Sequence, residues 1–385
     1  MFNFDQAAST PVHPDVIRTI AEVMQARSGN PSSIHRGGRD AAVLLERSRE
    51  VCAAALGAPP EDGRIVFTSG ATESNNLAIK GALLGRTDGR RHIVTTMIEH
   101  SSVYESCRQL EDFGFEVTYV RPRTDGTVSP ESVLGALRGD TALVSVMHVN
   151  NETGAVQPVG EIGRRLKEAD ARVLLHVDGV QGFGRLPLDL ARSRIDLYSV
   201  SAHKVRGPKG VGLLFVRRGV RLIPLLSGGS QEHGLRAGTE NTAAIVGAAK
   251  AFRLAAEGRP ERGRRLGELR ALVVSEVRRH EGLKLTEPAE TAPHIVHFTF
   301  PGLKSEVVLH TLEELNMLVS AQSACAAKTE KPSRVLTAMG MDREHATSGI
   351  RISLGDLHTE EDVRLLSEAL GRAVSRLAPF EGRKR

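Results

Sequence analysis

The sequence predicts an α/β protein with one large domain on a mostly parallel sheet and a smaller α/β domain after it. Three observations predict it. Between about residues 40 and 250, short apolar runs rich in β-branched residues alternate with helical patterns, as in a βαβ array. Several of those runs end directly in Ser, Asn, Asp or His, the arrangement of strands whose carboxyl ends face a ligand. The length of 385 residues, with 40% hydrophobic and 25% charged residues, suits two sizeable cores at roughly 100 to 200 residues per domain.

Taken in order, the strand candidates of the large array are RIVFTS (64–69), HIVTTM (92–97), EVTYV (116–120), ALVSVMHV (142–149), RVLLHVD (172–178), DLYSVSAHK (196–204) and GVGLLFV (210–216). Residues 251–290, containing FRLAAEGRPERGRRLGELRALVVSEVRR, read as a polar, Arg-rich helical stretch that leads out of the array. The run HIVHFTF (294–300) has period 2, with His294, Val296, Phe298 and Phe300 on one face, and is followed by a helix over SEVVLHTLEELN (305–316). A last strand, IRISLG (350–355), precedes a helix opened by Thr359 with Asp362 three residues on, a capping-box pattern. That helix carries Val363, Leu366, Leu370, Val374 and Leu377 on one face. No repeat of fixed period and no low-complexity segment interrupts this plan.

Composition narrows the function classes. The formal net charge of +5 is small for the length, so nucleic acid is permitted without being demanded. The basic clusters RRGVR (217–221), RPERGRR (259–265) and GRKR (382–385) are scattered and read as a solvated face rather than a nucleic-acid surface. Only three cysteines occur, Cys52, Cys107 and Cys325, too few and too far apart for a disulfide framework or a CxxC metal pair. With no basic-then-apolar leader and no apolar run of membrane-spanning length, the expectation is a cytoplasmic protein without a membrane partner.

Three segments carry chemistry. FTSGATESNN (67–76) is a strand ending in a small-residue turn at Gly70 and Ala71, with a helix starting near Thr72. Its free N–H groups suit a phosphate, although Thr72 as a mere helix cap is an equal reading. LLHVDGVQG (174–182) delivers Asp178 to the ligand edge, where a carboxylate serves as metal ligand, base, partner of a protonated pyridine nitrogen, or helix cap. His176 and Asp178 lack a third ligand at suitable spacing, so no metal is expected. SVSAHKVRGPKGVG (199–212) ends a strand with Ser201, His203 and Lys204, and GPKGVG matches neither common nucleotide loop. A lysine in a cleft can lose its proton and form a Schiff base, whereas a lysine at the surface does nothing of the kind. A phosphate cradle, then an Asp at a strand end, then a Lys at a later strand end are together the parts that hold pyridoxal 5'-phosphate.

At this point the chain resembles the cysteine desulfurases of the class V aminotransferase group. The resemblance rests on NPSSIHRGGR (30–39), FTSGATESNN, EHSSV (99–103), HVNNETGAVQP (148–158), HVDGVQ (176–181), SAHKVRGPKGVG (201–212), GGSQEHGLRAGTEN (228–241), SAC (323–325) and RISLG (351–355). It implies the fold type I of pyridoxal-phosphate transferases, with a large domain over 16–250 and a small domain of 1–15 and 251–385 that carries a catalytic cysteine loop near 321–333. It implies that Lys204 bonds the cofactor aldehyde, Asp178 pairs with the ring nitrogen, and His100 stacks on the ring and moves protons. It further implies that Gln181 meets the ring hydroxyl and that Ala71, Thr72, Ser201 and His203 hold the phosphate. Thr239 resembles the threonine that reaches the phosphate from a second subunit, which implies a homodimer. Asn151 lies beside the cofactor and with Arg351 resembles the pair that holds a substrate carboxylate, and Cys325 matches the nucleophile.

Physics supports Cys325 independently. It lies in a small-residue segment without an apolar stripe, near Lys328 and Lys331, which favour the thiolate. Cys52 and Cys107 instead fit helical core stripes. Two departures from the family pattern, Ala326 and Ala327 after the nucleophile and the opening DQAAST, bear on the loop's hydrogen bonding and on its acceptor. The reading is therefore conversion of L-cysteine to L-alanine, with the sulfur held on Cys325 and passed to an acceptor protein for iron–sulfur clusters or thiolated tRNA. A selenocysteine lyase or aminotransferase of the same fold is the enzymatic alternative. A sulfur-relay scaffold using Cys325 alone is the alternative of another class.

Overall fold

The computed structural model describes residues 1–26, 29–321 and 331–380. Its strands in chain order are β1 (Phe2–Asn3), β2 (Gly63–Thr68), β3 (His92–Thr96), β4 (Glu116–Val120), β5 (Thr141–Met147), β6 (Leu174–Asp178), β7 (Leu197–Ser201), β8 (Gly212–Arg217), β9 (Lys284–Leu285), β10 (Ile295–Thr299), β11 (Met317–Leu318) and β12 (Gly349–Ser353). Seven of them form one sheet in the order β2-β8-β7-β6-β5-β3-β4. All neighbouring pairs run parallel except the two that β8 makes, with β2 and with β7.

Side chains along these strands alternate between two covered faces, which is why the strands read as continuous apolar runs. On one face Ile65, Phe67, Val144, Val146, Tyr198, Val200, Leu213 and Phe215 pack against Leu45 and Cys52 of the helix Arg36–Ala55, Ile162 and Leu166 of Val159–Ala169, and Phe252 of Thr242–Glu257. On the other face Val66, Leu143, Leu197, Leu214 and Val216 meet Leu77, Ile79, Val103, Cys107 and Leu110. The helices thus sandwich the sheet and leave its strand ends open.

A second core joins Phe4, Leu266, Leu269, Val273, Val296, Phe298, Ile350, Ile352, Val363, Leu366 and Leu370 around the sheet β12-β10-β9. β10 pairs antiparallel with both of its neighbours. The first strand pairs parallel with β11, and Asp5 bridges to Ser353 at the end of β12. The chain start is thereby fixed against its last third. The helix Glu360–Leu377 opens with the expected capping box, Thr359 and Asp362 each accepting the other's backbone N–H. One segment packs away from its sequence neighbours: Val335, Leu336 and Met339 bury into the core of the seven-stranded sheet, not into the smaller one.

Candidate active site

The carboxyl ends of the parallel strands share one edge, and a cavity of about 530 Å³ lies there. Ala71, Thr72, His100, Asn151, Asp178, Gln181, Ser201, His203, Lys204 and Arg351 all line it. Thr239 is exposed and lies outside this cavity. Cys325 and Lys328 lie outside the described residues.

At the end of β2 the chain turns through Gly70 into the helix Ala71–Asn76. Gly70 adopts φ 154° and ψ 175°, a conformation essentially confined to glycine. Its missing side chain would face only Ser201 Oγ, at 3.9 Å. A Cβ on Gly212 would lie 2.6 Å from the Gly70 carbonyl carbon, so glycine at 212 lets β8 support the turn from below. The result is a backbone concavity flanked by Thr72, Ser201 and His203, a donor set that suits a phosphate. Burial first, then the Lys204 and Lys209 charges, hold the His203 imidazole down to about 4, so it presents a neutral ring.

β6 ends in Asp178, whose carboxylate accepts hydrogen bonds from Asn75 Nδ2 at 2.9 Å and from the Val180 N–H at 3.1 Å. Asn75 also donates to Ser102 Oγ at 2.9 Å. His100 caps the helix Ser101–Glu111, its Nδ1 accepting the Ser102 N–H at 3.2 Å and lying 2.9 Å from Ser102 Oγ. With Nδ1 an acceptor, a neutral His100 carries its proton on Nε2. Burial lowers its pKa, helped by Lys204 and Arg334 and opposed by Asp178. His176, the other half of the metal-like pair, is buried between the hydroxyls of Ser145 and Ser199. Among the described residues no group of three or more His, Cys, Asp or Glu side chains is placed to hold a metal ion.

Lys204 follows the end of β7 and its ammonium end points at the chain start, donating to the carbonyls of Ala7 at 2.7 Å and Ala8 at 2.8 Å. Burial, then the nearby Arg351 and Arg185 guanidinium groups, bring its amine down to about 8 from 10.5. Arg185 is itself buried and donates to the Lys204 backbone carbonyl at 2.9 Å. Gln181 donates to the Ala7 carbonyl and accepts from His294 Nε2 at 3.1 Å, leaving one amide N–H for a ligand. Arg351, buried on β12, donates to the Asn151 carbonyl at 2.7 Å and to Asp5 Oδ1 at 2.6 Å, while its Nε has no partner among the described residues. Asn75, Ser102, Asp5 and the two alanine carbonyls were not among the residues the sequence singled out; Asn75 was legible as the second polar residue of a buried helical turn, whereas a backbone carbonyl leaves no mark in a sequence.

The other two cysteines are fully buried in the cores, and burial raises both thiols far above their usual range. The basic clusters act partly as internal braces: Arg217 donates to the carbonyls of Leu190 and Ile195, and Arg262 pairs with Asp356.

A family model described as "Aminotransferase class-V" matches residues 2–366. A protein of Bacillus subtilis (strain 168) named "Putative cysteine desulfurase IscS 1" is 43% identical over 97% of this chain and 98% of its own length. "Cysteine desulfurase IscS" of Dictyoglomus turgidum is 40% identical over 97% of this chain and 94% of its own. Among solved structures, one titled "NIFS-LIKE PROTEIN" superposes with a TM-score of 0.90 at 37% identity, covering 98% of this chain and 99% of that one. The chain belongs to the class V aminotransferase family. It is a pyridoxal-phosphate enzyme, and the cavity fits that group by its own chemistry: a half-buried amine brought towards neutrality, a braced carboxylate, and a small-residue turn with hydroxyl and imidazole donors.

Proposed function

We propose that this cavity is the active site of a cysteine desulfurase, which takes sulfur from L-cysteine, leaves L-alanine, and passes the sulfur on through Cys325. The observation that carries the reading is the convergence, on one cavity, of a lysine brought down to about 8, a braced aspartate and a buried arginine whose Nε has no partner among the described residues. Pyridoxal phosphate, when bound, supplies an electron sink that labilises bonds at the substrate α-carbon. Lys204 holds it and moves a proton at Nζ, since an amine with a pKa near the working pH can both give and take one. Asp178, fixed by Asn75 and the Val180 N–H, would pair with the ring nitrogen. His100 transfers a proton at Nε2, its Nδ1 being committed to Ser102. Arg351 and Asn151 hold the substrate carboxylate, a task suited to a guanidinium fork. Ala71, Thr72, Ser201 and His203 hold the phosphate, and Gln181 meets the ring hydroxyl.

The Cys325 thiolate attacks the substrate sulfur. The carbon–sulfur bond of L-cysteine breaks, a sulfur–sulfur bond forms on Cys325, and protons return to the carbon skeleton to give L-alanine. Cysteine plus enzyme thiol thus balances alanine plus enzyme persulfide, with no external oxidant. A structural relative titled "SspA in complex with cysteine", 38% identical with a TM-score of 0.81, supports the choice of substrate.

The persulfide goes to an acceptor protein of iron–sulfur-cluster or thiolated-tRNA synthesis, in the cytoplasm. Among the described residues no helix is long and apolar enough to cross a membrane. The working unit is a homodimer in which Thr239 of each copy reaches the other's phosphate. Exposed Thr239 and the exposed apolar side chains Ile17, Met24 and Ile34, the last 91% exposed, support that assignment. Mass spectrometry after brief exposure to L-cysteine tests the whole reading: one added sulfur is expected on the peptide containing Cys325. Sulfur on Cys52 or Cys107 instead, or full desulfuration by Cys325→Ser, refutes it.

A further inference from the structure

The substrate-carboxylate arginine is held from behind by a carboxylate of its own chain. Asp5 lies next to the first strand, more than three hundred residues from Arg351 in sequence, and accepts from Arg351 Nη2 at 2.6 Å. The Asn151 carbonyl accepts from Nη1 at 2.7 Å. Between them they engage both terminal nitrogens of the guanidinium, and Nε is left without a partner among the described residues. The side edge of an arginine, Nε–H with one Nη2–H, is one of the two edges that bind a carboxylate bidentately.

Asp5 is itself fixed. Its N–H donates to Asn3 Oδ1 at 2.8 Å, it bridges to Ser353 at the end of β12, and the adjoining Ala7 N–H donates to Ser353 Oγ at 2.9 Å. A side chain of several rotatable bonds buried to 2% exposure is thereby held in a single orientation from a rigid backbone. Arg351 on its own would have lost several rotamers on burial with only one partner to offset the loss.

We infer that Asp5 is a positioning residue for substrate recognition: it anchors the far end of the Arg351 guanidinium so that the remaining edge meets the amino acid's carboxylate. This rests on the assignment of Arg351 to that carboxylate. Asp5 does not touch the substrate; it acts through Arg351.

The test compares L-alanine with L-alaninamide, which lacks the carboxylate, as ligands of the holoenzyme, binding being followed by the change in visible absorbance. Wild-type enzyme is expected to favour L-alanine; equal affinities would sink the Arg351 assignment, whatever Asp5 does. Given that preference, Asp5→Ala should weaken L-alanine about tenfold, the usual scale of one charged hydrogen bond, and leave L-alaninamide within about twofold. Asp5→Asn keeps an acceptor oxygen at the same place and should recover part of the loss, and the same order should appear in KM for L-cysteine with kcat changed little. Both variants should melt close to the wild type. Equal weakening of the two ligands, unchanged L-alanine affinity, or tighter L-alanine binding in Asp5→Ala would each overturn the inference, the last by making Asp5 a competitor of the substrate.

Discussion

Glu99 offers a prediction that depends on its environment alone. It is buried to 1% exposure one residue before His100, and does not line the cavity. Its Oε1 accepts from Thr96 Oγ1 at 2.6 Å and from the Met147 N–H at 2.9 Å, while Oε2 has no partner among the described residues. Burial outweighs both hydrogen bonds and pushes the carboxyl up to about 8 from 4.5. A carboxyl whose pKa rises on folding favours the folded state below its unfolded value, and that contribution is lost as pH climbs through the folded value. At about 1.4 kcal/mol per pH unit, the wild type should lose about 5 kcal/mol between pH 4.5 and 8 through this group. Glu99→Gln keeps an oxygen for Thr96 and Met147 and cannot ionise, so it should be spared. With about 2.1 cal/mol/K of unfolding entropy per residue over 385 residues, that difference corresponds to about 6 °C in melting temperature. The assay is thermal melting of both proteins from pH 5 to 8.5, read as the variant minus the wild type, which removes every titration the two share. Between pH 5 and 8.5, which spans most but not all of that loss, the difference should grow with pH by about 5 °C in favour of the glutamine. A flat difference, or one that grows towards acid, would refute the reasoning.

Lys204→Ala should abolish alanine production while leaving the fold intact, because it removes one half-buried cation and no core contact of the sheet; retained turnover, measured as alanine from cysteine, would contradict the site. Asn75→Ala removes the donors to Asp178 Oδ2 and Ser102 Oγ. It should weaken retention of pyridoxal phosphate about tenfold, the scale of a hydrogen bond to a charged group, as read by dialysis and visible absorbance.

The seven long strands were legible because helices cover both sheet faces, so each strand is apolar on both sides and ends abruptly in polar residues. Asp178, Ser201 and Lys204 stood out only together: each at or just after the end of an apolar strand has a structural reading of its own, and their combination with the small-residue turn is what points to one cofactor. The walls of the cavity opposite the sheet were not legible. Ala7 and Ala8 act through carbonyls, and Asp5 reaches Arg351 only because β1 pairs with β11. Nor did periodicity show that Val335, Leu336 and Met339 return to the large core, since the helix Arg334–Ala338 is too short to display a stripe. Ser102 was hidden at the second position of a helix whose cap is the residue singled out, His100.

The way Lys204 is held also bears on how it reacts. A carboxylate at hydrogen-bond distance from the amine would keep it charged, and a charged amine has no lone pair with which to attack an aldehyde. Here the two atoms within hydrogen-bond reach are backbone carbonyls, which accept hydrogen bonds without bringing a full negative charge. A neutral amine has two N–H bonds and one lone pair, so two carbonyls occupy its donors and leave the lone pair unused. Burial, Arg351 and Arg185 favour that neutral form, whereas Asp5 and Asp178, which act at longer range, oppose it. The balance falls at about 8, where both forms are present at neutral pH and the same nitrogen can attack as a base and return a proton as an acid. On the role proposed for Lys204, the chain start would do more than close the cavity: its two alanine carbonyls would aim the amine and let its charge be set by the groups behind it.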